Sequence, residues 1–151
     1  MMKKSFNQVT ISPATSSDSA AILHLSNLLD KSEAGKEEKI KRAIDAGHLW
    51  VAKNGKDIVG YILVELFGAD HHQLPNSIFL ADLFVLDTCR GQGIGTKLVE
   101  HALKTLYPAE YTYFSLTHDP DEKHLTDFYQ AFGFEVMGKS KAGNVMMIKK
   151  R

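Results

Sequence analysis

At 151 residues, with 44% hydrophobic and 24% charged side chains, the chain has apolar material for one globular core. Lys+Arg and Asp+Glu number 18 each, and zero net charge argues against a protein built to grip a nucleic-acid backbone. The richest apolar run, 58–67, carries Glu65 and is too short to cross a bilayer, and no signal-peptide apolar segment opens the chain, so neither a membrane nor export is expected.

A single cysteine, Cys89, excludes an internal disulfide and suits a cytoplasmic setting. Next to Arg90 and near a helix start its thiol could be activated, but a free thiol without a catalytic role is the simpler reading. Lys3-Lys4 and Lys149-Lys150-Arg151 cluster at the two termini and read as solvated tails. One domain over 1–151 is expected, with no internal repeat.

Residues 6–11 form a strand candidate, and Pro13 with Thr15-Ser16-Ser17-Asp18 supplies a turn and N-caps. Ala21, Ile22, Leu25, Leu28 and Leu29 then recur at helical spacing, ending near Asp30. A weaker helix runs over 36–46, with Ile40, Ala43 and Ile44 inward and Gly47 placed to end it; its Lys36-Glu37-Glu38-Lys39 run reads as a solvated face. Two strands, 49–53 and 57–67, flank Asn54-Gly55, a strong hairpin signal. The second is apolar on both faces and belongs inside a sheet, and Trp50 reads as core.

The polar segment 68–76 is a loop. Its Asp70, His71 and His72 lack further ligands at metal spacing, so no metal is expected there. A strand over 78–86 leads into Arg90-Gly91-Gln92-Gly93-Ile94-Gly95, followed by a helix over 93–106 whose stripe is Ile94, Leu98, Ala102 and Leu106, beside Val99 and Leu103. Alternating glycines permit positive φ and let consecutive N–H groups turn toward one anion at a helix N-terminus. Arg90 can add forked, charged donors. The turn therefore reads as a diphosphate cradle. A dinucleotide fingerprint would need glycine where Thr96 stands, and a P-loop would need Gly-Lys-Ser/Thr where the chain has Gly95-Thr96-Lys97.

Pro108 stops the helix, and 111–117 is a strand, completing a strand-turn-helix-strand unit that implies parallel pairing. Asp119-Pro120-Asp121-Glu122 reads as a helix start with a capping box, followed by Leu125, Phe128, Tyr129 and Phe132 at helical spacing and a stop at Gly133. Strands over 134–138 and 144–149 close the chain.

The Arg/Gln-x-x-Gly-x-Gly/Ala pattern met by Arg90, Gly93 and Gly95 resembles the signature of the GNAT superfamily of acyl-CoA-dependent N-acetyltransferases. Asp82-Leu83-Phe84-Val85 before it, and Phe128-Tyr129 with Gly133-Phe134 behind it, are similar to that family's central strand and next helix in order and spacing. The resemblance covers roughly the C-terminal half. It implies an α/β (α+β) fold: a mixed, mostly antiparallel central sheet of about six or seven strands flanked by about four helices.

The resemblance also implies acetyl-CoA as acyl donor, held by Phe84, Val85, Arg90, Gly91, Gln92, Gly93, Ile94, Gly95 and Thr96, and no metal. In that family a backbone N–H near Phe84 and Val85 polarises the thioester carbonyl. Tyr129 matches the position of the family's acid, a phenol suited to protonating a departing thiolate. Asp82 falls where relatives carry a carboxylate base; being short, it would act through water or hold a cationic amine, and Glu65 is the next substrate-side carboxylate. Glu122 stands where relatives often carry a cofactor-contacting asparagine.

Asp82-Leu83-Phe84-Val85 is similar to the same stretch of diamine acetyltransferases, which favours a small amine or polyamine as acceptor. Amino acids, peptide N-termini, protein lysines and aminoglycosides stay open, and because the corresponding loop in the GNAT family often borders the acceptor pocket, the resemblance implies a substrate contact for the loop 68–76. The partners implied are a small-molecule or peptide amine and a second copy in a homodimer, with no nucleic acid and no membrane. A non-catalytic acyl-CoA-binding module is the alternative.

Overall fold

The computed structural model describes residues 9–29, 34–70 and 74–151. Residues 6–8 of the expected first strand, Lys3-Lys4, Asp30 and His71-His72 lie outside them. Among the described residues seven strands form one sheet in the order β1-β2-β3-β4-β5-β7-β6: β1 Val9–Pro13, β2 Leu49–Asn54, β3 Asp57–Phe67, β4 Ser77–Val85, β5 Tyr113–His118, β6 Glu135–Lys139 and β7 Val145–Lys150. Four α-helices accompany them among the described residues: α1 Ser19–Leu29, α2 Lys36–Ala46, α3 Ile94–Lys104 and α4 His124–Gln130. The expected α/β class with a mostly antiparallel sheet is the one observed. The chain clusters into two compact units, residues 1–64 with 82–105 and residues 65–81 with 106–151.

In the first unit β1, β2 and β3 form an antiparallel meander, because β3 is long and buried on both faces and needs a ladder on each side. Asn54 pairs with Asp57, so the hairpin loop is Gly55-Lys56, one residue later than an Asn-Gly turn, with Gly55 at φ 65°. The register shifts between Ala52 and Lys53, leaving Val59 as an extra residue in β3. Helix α3 packs on β1 and β2 through Ile94, Leu98, Val99 and Ala102, all buried. It stops at Lys104, so Leu106 is no part of the apolar stripe and stands 93% exposed.

Helix α2 has the expected bounds, and Gly47 ends it in the left-handed region. Of its charge run, Glu37 and Glu38 are exposed as a solvated face would be, and the two lysines are not. Lys36 is buried and donates to the Ser26 carbonyl at 2.8 Å, compensating an open carbonyl near the α1 C-terminus, and Lys39 turns inward as well.

In the second unit β4 and β5 are parallel, and the β6–β7 hairpin folds back so that β7 pairs antiparallel with β5. The basic C-terminus is not a tail. Lys149 and Lys150 pair with Phe114 and Tyr113, while Arg151 donates to the carbonyls of Tyr107, Pro108 and Tyr111 at 2.6–2.8 Å and lies over the Tyr107 ring.

The capping box expected at Asp119 does not form. The Asp119 carboxylate accepts from the Asp121 N–H at 2.8 Å and its carbonyl from the Glu122 N–H, a local turn that competes with a helix cap. Helix α4 begins only at His124. The buried His118 ring bridges this region, with Nδ1 on the Asp119 carbonyl and Nε2 on the Thr126 hydroxyl, both at 2.9 Å.

Candidate active site

After β4 the chain makes a tight turn at Asp87–Cys89, closed by Cys89 N–H on the Leu86 carbonyl at 2.8 Å. Cys89 is free and buried. Gly91 and Gly93 both sit at φ 79°, where any other residue is strained, and Gly93 is the left-handed N-cap of α3. Gly95 lies inside the helix and needs no such freedom. A Cβ on Gly91 or Gly93 would meet nothing within 4 Å, so the backbone there faces open space.

The first intrahelical bond of α3 runs from Lys97 N–H to the Gly93 carbonyl, which leaves the Ile94, Gly95 and Thr96 amides without a helical acceptor. Buried Ile94 pins this end to the core, while Gln92 and Thr96 are exposed. Oriented amides, the positive end of α3 and glycines that leave the backbone uncovered fit a diphosphate. Arg90 is more committed than its sequence position suggests: Nε donates to the Val85 carbonyl at 3.2 Å and Nη1 pairs with Asp87 at 2.8 Å. It braces the turn and brings positive charge to it.

The end of β4 is set by β3. Leu86 N–H donates to the carbonyl of the bulged Val59, and a Cβ at Gly60 would lie 2.7 Å from the Phe84 carbonyl oxygen, so only glycine admits this approach. Within the second unit the β4–β5 ladder covers Ser77↔Tyr113, Ile78↔Phe114 and Phe79↔Ser115 and ends there, although β5 runs on to His118 with β7 beside it. Among the described residues of that unit, the β4-facing backbone of β5 past Ser115 is left without a parallel partner. Such an edge suits an extended, amide-rich ligand.

Asp82, largely buried, has its carboxylate between two groups. Lys39 Nζ lies 3.4 Å from Oδ2 and 3.5 Å from Oδ1, and the Tyr61 hydroxyl donates to Oδ2 at 3.5 Å. Sequence reasoning missed Lys39, Tyr61 and Gly60. A phenol inside an otherwise apolar strand was the available signal for Tyr61, since a buried hydroxyl needs a partner.

Glu65, half-buried on β3, belongs to the second unit, as does Tyr129; Asp82, Phe84, Val85 and 90–96 belong to the first. Tyr129 is buried among aromatic rings, edge-on to Phe128 and Phe134 with centroids 5.0 and 5.8 Å away. Burial pushes its phenol pKa well up from the ordinary value, so it remains a proton donor at neutral pH. Glu122 is exposed beside His124.

The fold and the cradle define an α/β protein with a diphosphate-fitted helix N-terminus. Residues 45–136 match the profile of the Acetyltransferase (GNAT) domain. A curated relative, "Peptidyl-lysine N-acetyltransferase YjaB" of Salmonella typhimurium, is 34% identical over 112 residues, covering 72% of this chain and 65% of that protein. Another, "Uncharacterized N-acetyltransferase YesJ" of Bacillus subtilis, is 28% identical over 113 residues, covering 69% and 62%. The chain thus spans just under two thirds of the length of these relatives. A PaiA N-acetyltransferase of Thermoplasma acidophilum, solved with coenzyme A, shares the fold at TM-score 0.75 over 95% of this chain and 99% of that one, at 16% identity. This chain belongs to the GNAT acetyltransferase family.

Proposed function

We propose that the chain is an acetyl-CoA-dependent N-acetyltransferase that passes an acetyl group to a primary amine, acting as a single domain over 1–151. The observation that carries this is the α3 N-terminus, where three amides without helical acceptors and two positive-φ glycines fit the diphosphate of coenzyme A. Family membership and the coenzyme A in the Thermoplasma structure support the same ligand.

Acetyl-CoA supplies an activated thioester when bound. Gly91, Gln92, Gly93, Ile94, Gly95 and Thr96 bind the diphosphate, Arg90 adds positive charge, and the backbone at Phe84 and Val85 holds the arm and polarises the carbonyl. Asp82 holds the ammonium of the acceptor and receives its proton through water, with Glu65 as a further carboxylate on the substrate side. Tyr129, kept protonated by burial, gives a proton to the departing thiolate. The acceptor is a small amine, a polyamine or a peptide lysine, the last supported by the name of the Salmonella relative.

A cytoplasmic setting and a homodimer complete the reading. The first is supported by the free Cys89 thiol and the second by the exposed strand β6 at the end of the sheet order.

Thermal unfolding with acetyl-CoA, NAD or ATP tests the ligand. Acetyl-CoA at a hundredfold excess over Kd stabilises by about 2.7 kcal/mol; NAD and ATP should do nothing, and Gly93→Asp should abolish the response. Tyr129→Phe should keep the acetyl-CoA shift and lose roughly 100-fold or more in turnover. A wild-type protein that binds acetyl-CoA but acetylates no amine would instead be an acyl-CoA-binding module.

A further inference from the structure

Lys39 stands one turn after Lys36 on α2, and the two lysines do different work. Lys36 ties the start of the helix to α1 through the Ser26 carbonyl and Asn27 Oδ1, and Gly47 ends it in the left-handed region. Held in this way, Lys39 reaches the Asp82 carboxylate and lies near both of its oxygens, with Tyr61 sharing Oδ2. The side chains of Lys39 and Asp82 are 16% and 12% exposed, so water screens this pair less than it would a surface pair. An acceptor approaching Asp82 therefore meets a carboxylate that already has an ammonium on it.

We propose that Lys39 is a specificity-determining residue: it occupies the carboxylate that a polycationic acceptor would use, and so directs the site toward acceptors bearing a single amine, such as a peptide lysine. The proposal rests on the assignment of Asp82 to the acceptor side. A monoamine can share the carboxylate as its proton leaves. A diamine brings a second ammonium into a neighbourhood where one is already fixed, and like charges there repel. Removing Lys39 takes the fixed ammonium away while the Tyr61 hydroxyl stays on Oδ2, so the second ammonium of a diamine is no longer repelled there.

The test is calorimetric titration of 1,4-diaminobutane and of Nα-acetyl-lysine amide into coenzyme A-loaded protein: wild type, Lys39→Met, Lys39→Gln and Lys39→Met/Asp82→Asn. Both Lys39 single variants should bind the diamine at least tenfold more tightly than wild type, with the monoamine changed less than threefold, and the double variant should lose the gain. A purely structural role for Lys39 would not create a diamine preference. The proposal is overturned if neither single variant gains diamine affinity, or if the double variant keeps the gain. It is overturned by the wild type alone if that binds the diamine as tightly as the monoamine, whatever the folding of the variants. If coenzyme A binds to none of the proteins, it is the acetyltransferase reading that fails, and the diamine titration on unliganded protein still decides the role of Lys39.

Discussion

A carboxylate in this chain is worth what its neighbours make of it, and Asp18 shows this in isolation from the site. Burial is the largest single influence on its pKa and raises it. The Thr15 backbone N–H at 2.9 Å, Lys53 at 3.3 Å and the Thr15 hydroxyl together outweigh burial, so the pKa falls below its ordinary 3.8. A depressed folded-state pKa stabilises the fold above the unfolded value, and that contribution is lost as pH falls through the folded one. Asp18→Asn should therefore melt below wild type at pH 7, with the gap closing as pH drops below 3.8; thermal scans across that range check it. Tyr129 shows the opposite sign. Burial raises its pKa, so the phenol stays protonated through the neutral range, as the proposed acid role requires, and under that proposal its ionisation should not limit turnover at moderately alkaline pH.

Elements set the site by how close their backbones come, and Gly60 is the position where this is tightest. A methyl group there would press on the Phe84 carbonyl oxygen at 2.7 Å, and backbone cannot yield as a flexible side chain can. Gly60→Ala should cost about 1–3 kcal/mol of stability and weaken acetyl-CoA binding, because the end of β4 must shift. Gly68→Ala is the control, since a Cβ there meets nothing within 4 Å and the φ is not positive. Equal melting temperatures and equal acetyl-CoA responses for the two variants would remove Gly60 from this role.

At the scale of the molecule, β6 closes the sheet order, and all five of its residues are exposed, with Val136 at 50% and Met137 at 46%. Paired antiparallel with its own copy about Met137, it would set Glu135 opposite Lys139, a cross-strand charge pair of roughly 0.2–1 kcal/mol. The bulge at Met137, where the register with β7 shifts, works against such pairing. The homodimer reading expects sedimentation as a dimer at tens of micromolar, and Val136→Lys should give a monomer; a wild-type monomer would retire it.

Periodicity and turn chemistry determined most of the elements by themselves. The bounds of α2, the glycine N-terminus of α3 and the long buried β3 are dictated by backbone preference and apolar spacing, which act between near neighbours. Cap chemistry at Asp119 was misleading, because a short carboxylate can satisfy a local turn as readily as a helix end. Only the tertiary structure decided that β7 lies between β5 and β6, that the β4–β5 ladder ends after Phe79, that Arg151 docks on the chain beside Tyr107, and that Lys39 meets Asp82. These depend on which distant polar groups burial forces together. Lys39 and Asp82 are 43 positions apart in the chain, and their charge run and strand showed no local sign of the pairing that the fold imposes.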